Sequence, residues 1–250
     1  RRILLTDAGR ALLDGAQSLL DASYAVVRST RAAGRGTGEH LVIAHTPAIS
    51  SDEVFDLTSS IRRSHPGASI TARQCFPNEL VPALRAGTID VALRRGAVTP
   101  GDVAAAVIAY TPLRIAVSAA HRLADRTTVS LVELKDDELV LWGPPGESFY
   151  ADFLLSICRR AGFEPRIFIN RIQGTAPTTA VIDTGFFAFV TADPGLHHHR
   201  QTVVLEIAGD QPFAPVQALW LRHTKSRLRQ ALLLAQGAVD AGPAHDVNRG

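Results

Sequence analysis

The ten residues 84–93, LRAGTIDVAL, decide the fold because they join the end of a helix to a buried strand. Gly87 suits the left-handed turn with which helices commonly end, so we expect a helix over 78–85 with Asn78 as its N-cap. Residues 88–93 then supply the apolar and β-branched side chains of a strand.

The preceding fifty residues repeat this alternation of strand and helix. Residues 40–45 and 69–75 each read as a strand. Between them, Ser50 and Glu53 have the spacing of a capping box that opens a helix running to Ser64. Strands separated by helices at this spacing predict β-α-β units around a parallel sheet.

A second series of similar size follows residue 110 and predicts a second lobe. Strands are expected at 113–118, 138–141, 166–169, 186–190, 203–207 and 216–221, a short helical turn at 130–134, and helices at 148–161, 175–184 and 226–239. The pattern predicts an α/β protein with two lobes.

The first forty residues differ from both series. Thr6 can cap a long amphipathic helix over about 5–32, which ends in the glycine-rich hinge 34–38. The apolar positions of this helix recur at heptad spacing and favour pairing with a second copy, although packing on the chain's own lobes stays open. The predicted dimerisation residues are Leu5, Leu12, Leu13, Leu19, Leu20, Val26 and Val27.

The composition excludes several classes of protein. The formal charge is +2, from 26 basic and 24 acidic residues, which is too balanced for a nucleic-acid clamp. The longest apolar runs are too short to span a bilayer, so no membrane association is expected. Cys75 and Cys158 lack metal-ligand spacing, which predicts a reduced cytoplasmic protein with packed thiols.

Four segments together resemble the LysR-type transcriptional regulators. They are LTDAG at 5–9, LRAGTIDVAL at 84–93, HRLA at 121–124 and AVIDTG at 180–185. Their order and spacing cover essentially the whole chain. The resemblance implies two Rossmann-like lobes of the type 2 periplasmic-binding-protein kind, preceded by a long linker helix.

The resemblance also implies the domain organisation and the partners. Residues 1–38 would be the end of a wing and a dimerising linker helix with its hinge, residues 40–109 and 213–242 lobe I, and residues 110–212 lobe II. The chain starts at Arg1 and contains no methionine, so a winged helix-turn-helix is expected to precede it. DNA would bind through that module, a small-molecule effector between the lobes, and the protein would form a homodimer or homotetramer.

The candidate effector site is the crevice between the lobes, where strand ends and helix N-termini converge. The candidate residues are Thr46, Pro47, Ala48, Ile49, Phe76, Pro77, Arg94 and Arg95 from lobe I, and Trp142, Ser148, Phe149, Tyr150, Gln173, Thr175 and Thr191 from lobe II. Arg95 is expected to pair with a carboxylate of an anionic effector. A solvated loop arginine is the alternative reading of Arg95.

Two other functions remain open on the sequence. A solute-binding protein of a transport system would share the two lobes, but the linker helix disfavours it. No catalytic motif is present, so an enzyme is disfavoured, and no cofactor is expected. The run 197–199, HHH, could bind a metal adventitiously, but a solvated turn is the preferred interpretation and no metal site is expected.

Overall fold

The structure is a computed structural model that describes residues 6–10, 12, 16, 23, 26–27, 30, 39–96, 103–172, 175–222 and 224–235. Residues 7–10 are helical, and Thr6 Oγ1 accepts a hydrogen bond from Gly9 N–H at 3.1 Å, as expected of an N-cap. Leu12, Val26 and Val27 lie in helix with 72%, 62% and 43% of their surface exposed. The other predicted dimerisation residues, Leu5, Leu13, Leu19 and Leu20, lie outside the described residues.

In the described chain, α-helices separate the first three strands, and longer runs of consecutive strands follow. The strands are β1 (His40–His45), β2 (Ser69–Gln74), β3 (Val91–Arg95), β4 (Val103–Pro112), β5 (Arg114–Ser118), β6 (Thr128–Val129), β7 (Glu138–Leu141), β8 (Arg166–Ile169), β9 (Phe187–Val190), β10 (Gly195–His197), β11 (Thr202–Ile207) and β12 (Phe213–Leu221). The α-helices are α1 (Ser51–Leu57), α2 (Ser59–Ser64), α3 (Pro77–Arg85), α4 (Phe149–Arg160) and α5 (Arg227–Ala235), and two 3-10 helices span Leu131–Leu134 and Pro177–Val181.

The strands form two sheets. Sheet I has the order β2-β1-β3-β12-β4, and sheet II has the order β10-β11-β5-β9-β7-β8, with β6 beside β11. Buried apolar side chains line both, including Ile43 and Trp220 on sheet I and Phe187 on sheet II, which shares a core cluster with Leu154 of α4. This is the mixed α/β fold that the sequence predicts.

Sheet I is mixed rather than parallel. Strand β1 pairs in parallel with β2 and β3, but β12 runs antiparallel to β3 and β4. The chain leaves sheet I through β4 and returns through β12 beside it, with Phe213 opposite Pro112 and Leu113 N–H bonded to Pro212 O at 2.8 Å. The two connections between the sheets therefore lie side by side.

Strand β4 and the short strands β6 and β10 were not predicted, and several element boundaries differ from the prediction. The run of alanines in β4 has low β propensity and hides the pattern of a strand. Strand β3 begins at Val91, not at residue 88, because Asp90 closes a local turn against β1 with its backbone N–H and its carboxylate both bonded to Val42. The helix expected over 175–184 is only the 3-10 helix Pro177–Val181.

One helix break and one helix start also differ from the predictions made from the sequence. The helix predicted up to Ser64 is interrupted at Thr58, whose Oγ1 donates to Val54 O and Phe55 O, and such back-bonding bends a helix. Asn78 is not a cap. Helix α3 starts at Pro77 because proline at the first helical position has no N–H to leave unsatisfied.

Candidate functional site

The loop between β1 and α1 places an acidic side chain at the edge of sheet I. His45 Nδ1 lies 2.8 Å from Ile49 O, which holds the loop closed. Ser50 Oγ accepts a hydrogen bond from Glu53 N–H at 3.1 Å and caps α1. The Glu53 carboxylate does not complete the predicted capping box, because it is bound to Arg95 on β3 instead.

Arg95 and Glu53 form a buried ion pair. Arg95 Nη2 lies 2.7 Å from Glu53 Oε1 and 2.6 Å from Oε2. The Arg95 side chain is 0% exposed and the Glu53 side chain 11%. Burial of two charges is tolerated only when each is well paired, and this geometry meets that condition.

The other donors of Arg95 are also occupied. Its Nε donates to Ala48 O at 3.3 Å, and its Nη1 faces Thr111 Oγ1 at 3.3 Å and Ala214 O at 3.4 Å. Arg95 is therefore not the solvated loop arginine that the sequence left open. In this arrangement Glu53 occupies the place beside Arg95 that was predicted for an effector carboxylate.

Two threonines donate to the same Glu53 carboxylate from opposite sheets. Thr111, near the end of β4 in sheet I, donates to Oε1 at 2.5 Å. Thr191, directly after β9 of sheet II, donates to Oε2 at 3.3 Å. Glu53 thus accepts hydrogen bonds from both sides of the gap between the sheets.

Tyr150 of helix α4, on the sheet II side, lies near this pair. Helix α4 starts after Ser148, whose Oγ accepts from Ala151 N–H at 3.5 Å, and its second residue is Tyr150. Burial raises the pKa of Tyr150 to about 12, with Glu53 adding to the rise and Arg95 opposing it. Tyr150 is therefore a neutral phenol beside the ion pair at physiological pH.

A cavity of about 460 Å³ opens between the two sheets. This volume suits a small organic molecule. Its lining residues are Ala48, Ser50, Asp52, Glu53, Asp56, Thr111, Pro112, Arg114, Trp142, Tyr150, Ala176, Pro177, Thr178, Phe189, Val190, Thr191, Ala192, Asp193, His197 and His198.

Arg114 lines the cavity on the sheet II side, and its guanidinium is paired with carboxylate and carbonyl oxygens. Its Nε lies 3.0 Å from Glu206 Oε1 and its Nη1 lies 3.2 Å from Ala192 O and 3.5 Å from Asp193 Oδ1. The Arg114 side chain is 15% exposed and that of Glu206 37%, so this pair is more solvated than Arg95 with Glu53.

Two histidines of the run 197–199 belong to the lining. His197 Nε2 lies 2.7 Å from Asp193 O, and His198 Nε2 lies 2.5 Å from Thr178 Oγ1. His197 ends β10 rather than lying in a turn, and its ring is partly buried. The predicted turn is present at His198 and His199, where His198 is partly buried and His199 is exposed. Within the part of the chain that the structure describes, no three acidic, histidine or cysteine side chains form a group that could hold a metal.

A family model described as the LysR substrate binding domain matches residues 34–236. The chain belongs to the LysR-type transcriptional regulators.

Individual relatives agree with that membership. The chain is 30% identical over 233 residues to the HTH-type transcriptional regulator TfdS of Cupriavidus pinatubonensis, covering 93% of this chain and 79% of that protein. It is also 30% identical over 168 residues to the uncharacterized HTH-type regulator YnfL of Escherichia coli, covering 67% of this chain and 57% of that protein. These LysR relatives are named as transcriptional regulators, not as enzymes or transport receptors.

Solved LysR structures share the fold. The crystal structure of CbnR superposes with a TM-score of 0.71 at 25% identity, over 93% of this chain and 81% of that one. The BenM effector binding domain with its effector benzoate superposes with a TM-score of 0.61 at 17% identity, over 80% of this chain and 91% of that one. Full-length CbnR has also been solved in complex with its target DNA, at 24% identity and a TM-score of 0.67 over 95% of this chain and 83% of that one.

The structure brings only part of the predicted effector site of this LysR protein to the cavity. Ala48, Trp142, Tyr150 and Thr191 line it. Arg95 lies behind Glu53, and Arg94 points to the other face of β3, where its Nε donates to Gln217 Oε1 at 3.0 Å. Gln173 lies outside the described residues. The remaining predicted residues are not in the lining: Thr46, Pro47, Ile49, Phe76, Pro77, Ser148, Phe149 and Thr175.

Sequence reasoning missed several lining residues. Glu53 carried a signal, the capping spacing, but it was assigned to the helix end rather than to the site. Asp52 and Asp56 lie one residue before and three after Glu53, on a helix whose orientation toward the cavity has no signature in the sequence. Thr111 and Pro112 belong to the unpredicted strand β4.

Proposed function

We propose that this chain is the effector-sensing and oligomer-forming part of a LysR regulator and that its effector binds in the cavity between the sheets. The observation that carries this proposal is the convergence of Thr111 and Thr191, from opposite sheets, on the Glu53 carboxylate at the cavity wall. A molecule bound there would contact both sheets. Its binding free energy would then depend on their relative arrangement, which is the requirement for a ligand-driven switch.

The proposed organisation keeps the boundaries that the sequence predicts. Residues 40–109 with 213–242 would form lobe I and residues 110–212 lobe II, with the linker helix and hinge at 1–38. The exposure of Leu12, Val26 and Val27 supports a role of that helix in pairing with a second copy in a homodimer or homotetramer. DNA would bind through a winged helix-turn-helix N-terminal to the linker helix, as the HTH-type names of the relatives suggest.

The site residues of the proposal are the predicted ones that line the cavity together with the lining residues that sequence reasoning missed. An anionic effector, as expected from Arg95, stays a prediction. Such an effector could bind Arg114, which faces the cavity. It could bind Arg95 only if it displaced Glu53.

We also propose that the protein acts in the cytoplasm without enzymatic activity. None of the described helices is long and apolar enough to cross a membrane.

The proposal is tested by blocking the cavity from each side. Compounds that raise the melting temperature in a small-molecule screen are titrated by calorimetry into the wild type, Ala48→Phe and Ala176→Phe. These two alanines lie on the walls formed by sheet I and sheet II, whereas Ala86→Phe changes an exposed residue outside the lining and serves as the control. Loss of a well-placed contact worth about 1.4 kcal/mol weakens binding roughly tenfold.

The expected result is weaker binding in both wall variants and unchanged binding in Ala86→Phe. A ligand whose affinity is unchanged in both wall variants would bind elsewhere and would contradict the proposal. If the affinity falls in only one of the two wall variants, the ligand binds one sheet alone. Its binding free energy would then not depend on the relative arrangement of the two sheets, as proposed.

A further inference from the structure

The Glu53 carboxylate is the point at which the two sheets and the cavity meet. It is bound by Arg95 and Thr111 of sheet I and by Thr191 of sheet II, and it also lines the cavity. Its side chain is 11% exposed, so a bound molecule can touch it without unfolding the loop.

The contacts on the two sheets differ in strength. Arg95 Nη2 and Thr111 Oγ1 approach Glu53 at 2.5–2.7 Å, whereas Thr191 Oγ1 is 3.3 Å away. Longer hydrogen bonds are weaker, and charge-assisted ones at short distance are the strongest. The contact from Thr191 is therefore the one that a competing donor would replace.

The charges around the cavity favour a donor at this position over an acceptor. Asp52, Asp56 and Asp193 also line the cavity, while the guanidinium of Arg95 is already covered by Glu53 and Arg114 is paired with Glu206. A ligand carboxylate facing Glu53 would meet like charge, and displacing Glu53 would leave that carboxylate buried without its partner, which is costly.

We propose that Glu53 is the specificity-determining residue of the cavity and accepts a hydrogen bond from a hydroxyl or a protonated amine of the effector, in the place where Thr191 donates in this structure. Arg95 is a positioning residue that holds the carboxylate. The inference rests on the proposed function, since it assumes that the effector occupies this cavity. It adds the chemical class of the group that faces Glu53 and links ligand binding to the contact between the sheets.

The first test needs no ligand and uses two matched threonines. Thr191→Val and Thr111→Val each remove one hydrogen bond to the same carboxylate, from sheet II and sheet I respectively. Trp142 lines the cavity, and Trp220 is 2% exposed, so acrylamide quenching of tryptophan fluorescence reports mainly on Trp142.

We expect Thr191→Val to increase the quenching and Thr111→Val to leave it near the wild-type value. Removal of this hydrogen bond should raise the population in which sheet II has moved away from Glu53, relative to the population in which the two sheets are in contact there, by about two- to tenfold. Equal quenching in the wild type and Thr191→Val, or an increase only in Thr111→Val, would overturn the role of the Glu53–Thr191 contact.

The second test compares three probes of nearly equal size: benzylamine, benzyl alcohol and benzoate, titrated by calorimetry at millimolar concentration. Both donors are expected to bind more tightly than benzoate. Thr191→Val removes the competing donor and should tighten donor binding by about two- to tenfold, while Thr111→Val should not. Glu53→Gln should weaken benzylamine by roughly tenfold or more, because a charge-assisted contact becomes a neutral one.

Failure of the two donors to bind more tightly than benzoate would overturn the inference, as would unchanged benzylamine affinity in both Glu53→Gln and Thr191→Val. Because Thr191→Val leaves the ion pair in place, the test does not depend on the stability of Glu53→Gln. Preferential binding of benzoate that is lost in Ala48→Phe and Ala176→Phe would leave the proposed function standing and contradict only this inference.

Discussion

The two sheets handle their buried ionisable side chains in different ways. Sheet I buries a charged pair, Arg95 with Glu53, whereas sheet II keeps Tyr150 and Cys158 neutral. Burial raises the pKa of each of these two groups to about 12. The comparison shows that the charges buried at sheet I are stabilised by pairing, while the two groups buried on α4 beside sheet II stay uncharged.

The largest expected effect comes from breaking the buried pair. Arg95→Met leaves the Glu53 carboxylate without its cation and should lower the free energy of unfolding by about 3–5 kcal/mol. Urea denaturation measures this change. The double variant Arg95→Met with Glu53→Gln should recover part of the loss, because the uncompensated charge is gone.

Arg114→Met is the matched control on sheet II, since the partner of Arg114, Glu206, is 37% exposed and can be solvated by water. A clearly smaller loss is expected there. If Arg95→Met and Arg114→Met cost the same, the distinction between the two sheets would not hold.

The next largest expected effect is a loss of stability at alkaline pH, caused by two buried groups beside sheet II. The folded-state pKa of Cys158 is raised from 9.0 and that of Tyr150 from 10.0, each to about 12. A raised pKa in the folded state contributes stability that is fully present below the unfolded-state pKa and is lost as the pH rises through the folded-state value. The free energy of unfolding should therefore fall between about pH 9 and pH 12.

Urea denaturation at several pH values in this window measures the slope. The slope should be shallower in Cys158→Ala and in Tyr150→Phe, because each variant removes one of the two groups. The comparison uses slopes, so a constant loss of stability from the substitution itself does not affect it. An unchanged slope in both variants would show that other groups cause the alkaline loss.

The smallest expected effect concerns the serine N-caps of two helices, one beside each sheet. Ser50 caps α1 beside sheet I at 3.1 Å, and Ser148 caps α4 beside sheet II at 3.5 Å. Replacing a serine N-cap by alanine costs about 1 kcal/mol. Ser50→Ala should cost more than Ser148→Ala in thermal or urea unfolding, since its hydrogen bond is shorter and its helix carries Glu53. The reverse order would argue that α1 does not hold the ion pair in place.

Local signals in the sequence predicted much of the fold but less of the site. The turn at Gly87, with φ of 63°, and the strand that follows could be predicted because their signals lie within ten residues. Strand β4 could not be, because its alanines fit several conformations and only its long pairing with β12 makes it a strand.

The site depends on contacts between distant residues. Glu53 and Arg95 are 42 positions apart, and Glu53 and Thr191 are 138 apart. The spacing of Ser50 and Glu53 predicted a cap, and the serine half of that cap is present. The carboxylate was available to Arg95 instead, since a buried guanidinium gains more from a carboxylate than the N-cap amide does. Such competition between a local and a distant partner has no signature in a single sequence.

The most direct test of the account measures the distance between the two sheets with and without ligand. Spin labels are attached at Ala86→Cys and Arg126→Cys, which are exposed and lie beside sheet I and sheet II, in a Cys75→Ala background. Cys158 is buried and its raised pKa keeps the thiol protonated, so it should not react with the label. With the first ligand found by calorimetry at saturation, the account predicts that the distance distribution narrows and shifts by more than about 2 Å. A distribution that is identical with and without saturating ligand would contradict it.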